Sequence, residues 1–151
     1  MGKITVISRH PEKAIYMNRV TTYTRKAIEQ MQLPVEELTL VFVDNAAIQA
    51  LHAQYLNEDT PTDIMTFPLH EPNAPIEADI VISIDMAIEN ARHFQVSPEE
   101  ELRRLVIYGL LHLSGLKDAS QEEQQIMREQ ENFWLFRLPF GALFLKNSAG
   151  K

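Results

Sequence analysis

Apolar and polar residues alternate along KITVIS (3–8) and EADIVISID (77–85), the period of a strand that buries one face, and ELTLVFVD (37–44) reads as a strand from its β-rich composition. In EADIVISID, Asp79, Val81 and Ser83 share one face and Ile80, Ile82 and Ile84 the other. TPTDIMTFPLHEP (60–72), bounded by prolines, reads as one more strand. Between and after them the period becomes helical. A helix is expected over roughly 11–31 with Pro11 in its first turn. A second is expected over 46–56, where Ile48, Leu51, His52 and Tyr55 recur and Asn45 can cap. A third begins at Asp85 and runs to about Phe94. Ser97-Pro98-Glu99-Glu100 opens a helix to about Ser114, with Gly115 free to end it in the left-handed conformation. Ser120 and Glu123 form a second capping box for a last helix through about Phe136. Strands come early and helices late, so the fold expected is α+β, a small mixed four-stranded sheet packed with about five helices.

The helix over 98–114 is apolar nearly all round (Leu102, Leu105, Val106, Ile107, Leu110, Leu111, Leu113), which makes it central and buried. Residues 1–145 read as a single domain and KNSAGK (146–151) as a frayed tail. ENFWLFRLPFGALFL (131–145) concentrates apolar side chains, for core packing of the last helix or for docking a protein partner.

The 151 residues are 45% hydrophobic and 23% charged, ordinary for a globular chain with a core of its own. Without cysteine there is no disulfide partner, thiol nucleophile or cysteine zinc site. The N-terminus reads as a strand rather than a secretory signal, and no apolar run is long enough to span a bilayer, so a cytoplasmic protein without membrane association is expected. The net charge of −7 is unevenly spread: +4 over residues 1–30, −13 over 31–102 and +2 over 103–151. Arg19, Arg25 and Lys26 therefore form either a solvated helix face or a cationic strip for a phosphate backbone.

The segment with most chemistry is YGLLHLSGLKD (108–118). Tyr108 and His112 are four residues apart on one helix face, and Gly115 can turn the chain so that Asp118 folds back toward them. One imidazole and one carboxylate brought together this way can hold a divalent ion with coordination left open for water. A hydrogen-bonded core histidine and a polar turn aspartate account for the spacing equally simply. The protease signature H-E-x-x-H is absent, which argues against a metallopeptidase.

YGLLHLSGLKD resembles the signature H-G-x-L-H-L-x-G-Y-x-H/D of the YbeY family of metal-dependent endoribonucleases, through Gly109, Leu111, His112, Leu113, Gly115 and Asp118. LHAQYLNEDTPTDIMTFP (51–68) resembles the family stretch L-N-x-x-Y-x-x-x-D-x-P-T-D-V-L-S-F-P, and EADIVISID its G-D-I-x-I-S strand. The resemblance implies a zincin-like metal helix and one zinc ion per chain where the site is intact. It implies metal-activated water cutting single-stranded RNA, in ribosomal RNA maturation and ribosome quality control, with ribosomal RNA or a ribosomal subunit as partner. On this basis His112 and Asp118 take two metal positions, and Asp63 and Tyr108 are catalytic candidates.

Tyr108 stands where the resemblance expects the first metal-binding histidine. A phenol titrates near pH 10, so it can act as a poor third ligand, as a proton donor, or as a packed side chain beside a weakened site; His52 and His70 are candidates to replace it. Leu56 and Glu58 stand where many members carry an arginine and a lysine. The alternative to an enzyme is a non-catalytic RNA- or ribosome-associated binding module on the same fold.

Overall fold

A computed structural model describes residues 2–138 and 144–146. Its elements run β1 (Lys3–Ser8), α1 (Met17–Met31), β2 (Val35–Val43), α2 (Asn45–Leu56), β3 (Ile64–Pro68), β4 (Ile76–Ser83), α3 (Ile84–Phe94), α4 (Pro98–Leu113) and α5 (Gln121–Arg137). The sheet order is β1-β2-β4-β3. β1, β2 and β4 are parallel and β3 pairs antiparallel with β4, so the sheet is mixed, four-stranded and joined by helices, as the pattern of periods predicts.

The two faces of β4 part as the alternation requires. Ile80, Ile82 and Ile84 enter the main core with Val20, Tyr23 and Ala27 of α1 and Leu102, Val106, Ile107 and Leu110 of α4. Val81 faces the other way, into a smaller cluster with Val43, Met65 and Ile48 of α2. Gly109 lets α4 lie close on the sheet: a Cβ there would meet Ile80 Cδ1 at 2.9 Å and Ile64 Cδ1 at 3.3 Å.

Ends follow local chemistry. Ser97 Oγ accepts the Glu100 N–H at 3.0 Å with Pro98 in the first turn of α4. Gly115 follows with φ 115°, a conformation open to glycine. The reciprocal capping box of Ser120 and Glu123 starts α5. Asp44, not Asn45, caps α2 by accepting the Ala47 N–H at 3.0 Å, because β2 ends at Val43 and leaves Asp44 extended.

The largest departure from the periodicity is at α1, which begins at Met17 rather than near residue 11. The preceding residues are held by other partners. His10 Nδ1 accepts the N–H groups of Glu12 and Lys13, each at 3.0 Å, and Ile15 bridges antiparallel to Leu145. Beside this bridge Lys146 donates its N–H to Ala14 O at 2.9 Å. Residues 147–151 of the expected tail lie outside the described residues. The C-terminal apolar run divides: Leu138, Phe144 and Leu145 are buried, whereas Phe133 and Phe136 are exposed. Among the described residues no helix is long and apolar enough to cross a membrane.

Candidate active site

A cleft of about 600 Å³ opens where α3, α4 and α5 meet the start of β3. Asn90 and Phe94 reach it from α3, Glu101, Arg104 and Tyr108 from α4, and Arg128 and Glu131 from α5. Asp63 enters from the loop before β3 and Asp118 from the turn after α4. The capping box at Ser120 fixes where α5 starts, and with it the short span that carries Asp118.

Tyr108, His112 and Asp118 do come together, though not as three ligands. The Tyr108 hydroxyl donates to Asp118 Oδ2 at 2.7 Å. The Tyr108 and His112 rings stack, 5.9 Å between centroids and 8° between planes, as expected four residues apart on a helix. Tyr108 and Asp118 line the cleft and His112 does not. His112 Nδ1 is buried without a hydrogen-bond partner among the described residues. Burial first, and the neighbouring Asp118 carboxylate second, push the Tyr108 phenol far above its ordinary value, so it stays neutral and donates.

Asp63 lines the same cleft. Its Oδ2 accepts from Asn90 Nδ2 at 3.1 Å. Burial raises its carboxyl above the usual range, against the hydrogen bonds from Asn90 and from the backbone. Glu101 is raised in the same way, burial outweighing the pull of Arg104. Arg104 donates to Glu131 Oε1 and to Asn132 Oδ1, both at 2.9 Å, and Arg128 lies 3.6 Å from the same Glu131 oxygen. Two guanidiniums therefore share one buried carboxylate at the cleft wall.

Arg104, Arg128, Asn90 and Glu101 were not anticipated. One signal was available: Glu101, Arg104, Tyr108 and His112 recur at helical spacing as a polar stripe that continues into the apolar second half of the helix. The anticipated cations lie elsewhere. Arg19 and Lys26 are exposed on α1, Arg25 donates to Gly2 O at 3.3 Å, and none of the three lines the cleft. Nor do His52 and His70, whose Nδ1 atoms lie 2.9 Å from Thr60 O and 3.0 Å from Glu77 O.

For a catalytic zinc the donor set falls short. Such a site takes three protein ligands. Here His112 offers one imidazole, Asp118 one carboxylate that already accepts the phenol proton, and Tyr108 a neutral hydroxyl. Among the described residues no group of three histidine, aspartate or glutamate side chains converges as an ion would need. The residues present, as arranged, do not fit the ion.

Comparison with known proteins gives a consistent answer. Residues 6–138 match the family model described as Endoribonuclease YbeY. The chain is 35% identical over 142 residues to Endoribonuclease YbeY of Christiangramia forsetii, covering 91% of this chain and 96% of that one. It is 32% identical over 139 residues to the protein of the same name from Aquifex aeolicus, covering 90% and 93%. Its fold is similar to the solution structure of TM1509 from Thermotoga maritima, with a TM-score of 0.63 at 25% identity over 87% of this chain and 86% of that one. Extending from the first strand to the end of the last helix, these matches show that the chain belongs to the YbeY family.

Proposed function

We propose that this chain is an endoribonuclease acting on single-stranded RNA, in ribosomal RNA maturation and ribosome quality control, with a metal site weaker than its family signature implies. The observation that carries this is the meeting of Asp63, Tyr108, Asp118 and two guanidiniums in one cleft of a chain whose relatives bear the endoribonuclease name. Asp63, with its proton affinity raised by burial, is suited to take a proton. Tyr108 holds one it can give to a leaving oxygen. Arg104 and Arg128 supply positive charge for a phosphodiester. Arg19 and Lys26 are proposed to meet the RNA backbone outside the cleft. Zinc, if bound, would rest on His112 and Asp118 alone, so no step is assigned to it.

A non-catalytic RNA- or ribosome-binding module is the second reading, favoured by the closed Tyr108–Asp118 hydrogen bond. A cleavage assay on a single-stranded ribosomal RNA fragment separates the two. Slow cutting by the parent chain, lost in Asp63→Ala, supports the enzyme. RNA bound but uncut by both the parent and Tyr108→His, with zinc supplied, supports the module.

A further inference from the structure

Phe94 ends α3 and is 53% exposed as a residue while lining the cleft. Arg128 reaches across from α5, its Cζ 5.8 Å from the Phe94 ring centroid, and His93 sits edge-on to the same ring at 5.0 Å. An aromatic side chain left half in water beside a guanidinium forgoes much of the stabilisation that burial would bring. Exposed rings flanked by arginine are the surfaces on which unstacked nucleobases settle, because every base has a π-face.

Charge helps decide which part of a nucleotide enters. Asp63, Glu101, Asp118 and Glu131 line the cleft against only two guanidiniums, Arg104 and Arg128, which themselves share Glu131. With both guanidiniums on the Glu131 wall, a phosphodiester is held at that wall, and the remaining acidic lining tolerates an uncharged base. The volume of about 600 Å³ lies within the range of small-molecule pockets.

We propose that Phe94 and Arg128 form a stacking platform for one unpaired base of the RNA, so that the cleft accepts single strands and rejects duplexes. This rests on the reading of the chain as an RNA-acting protein. A base within a duplex keeps both faces stacked on its neighbours and has none to offer the ring. Arg128 would remain on Glu131 while its flat face meets the edge of the stack.

The test uses the full chain and fluorescence anisotropy with a short labelled single-stranded RNA, its integrity verified on a gel after each titration. Phe94→Ala is expected to weaken binding about tenfold, the contribution of stacking one base. Phe94→Trp is expected to keep the parent affinity, and a duplex of the same sequence is expected not to compete. Equal affinity of the parent and Phe94→Ala would overturn the platform while leaving the RNA reading intact, and so would binding of the duplex as tight as that of the single strand. A parent chain that binds no single strand overturns both.

Discussion

His10 and His112 are both largely withdrawn from solvent, and their surroundings differ in kind. The His10 side chain is 4% exposed and both its ring nitrogens are used. Nδ1 accepts two backbone N–H groups, which assigns the proton to Nε2, and Nε2 lies 2.7 Å from Asp85 Oδ1. Asp85 in turn accepts the Asn45 N–H at 3.0 Å, and Ser83 Oγ donates to Asn45 Oδ1 at 2.7 Å. The two N–H groups shape the loop before α1, and Asp85 and Asn45 tie that loop to the strand ends. His112 has a phenol stacked beside it and a buried Nδ1 with no partner among the described residues. A buried nitrogen without a hydrogen bond carries a desolvation cost of about 1–3 kcal/mol. The contrast teaches that the first cluster is a completed structural joint and the second an incomplete site, kept in a position a well-satisfied fold would not need.

Replacing Tyr108 should break the comparison most. Tyr108→His puts two imidazoles four residues apart on one face of α4 and frees Asp118 from the phenol, giving the three donors zinc takes. Zinc affinity should rise by several kcal/mol, roughly a hundredfold or more in Kd, read by competition with a coloured chelator. An unchanged Kd would mean that the three positions do not converge on one point.

Next in size is the pair His10→Ala and His112→Ala, compared by urea unfolding. His10→Ala strands two backbone N–H groups and leaves Asp85 without its ring partner, an expected loss of about 2–4 kcal/mol. His112→Ala removes an unpartnered nitrogen along with some packing and should cost less than half as much. The reverse order would contradict the contrast drawn between them.

The joint also has a pH signature. Burial works to raise the Asp85 carboxyl, but His10, the Asn45 N–H and the charge of Lys13 outweigh it and hold the group below its ordinary value. Its stabilising contribution is complete above the unfolded value of about 3.9 and disappears as pH falls through the lower folded value. The acid limb of the parent's stability curve should therefore flatten in His10→Ala. Tyr108→Phe is the mildest change. It removes one hydrogen bond, worth about 1 kcal/mol, and should lower Tm by about 2–4 °C.

Local periods carried most of the fold into the sequence. The alternation through 77–85 marks which isoleucines face α1 and α4, and the serines at 97 and 120 mark two helix starts. What misled was a tertiary override: residues 11–16 read as helix, but His10 binds their N–H groups and the returning Leu145 pairs with Ile15. The site was legible where it was local. Tyr108, His112 and Asp118 lie within one helix and its turn, so their proximity follows from helical geometry. Arg128 and Phe94 meet only because α3 and α5 both pack on α4, a long-range fact with no spacing in the chain to announce it. The hydrogen bond from Tyr108 to Asp118 lies between these extremes: the segment brings them near, and the folded turn directs the phenol at the carboxylate.

The phenol of Tyr108 occupies the carboxylate a metal ion would use. Elemental analysis of protein purified without chelators and without immobilised nickel tests it most directly, on the parent and Tyr108→His prepared side by side. Well under one zinc per chain is expected in the parent and about one in the variant. A parent chain that already carries about one zinc would contradict it.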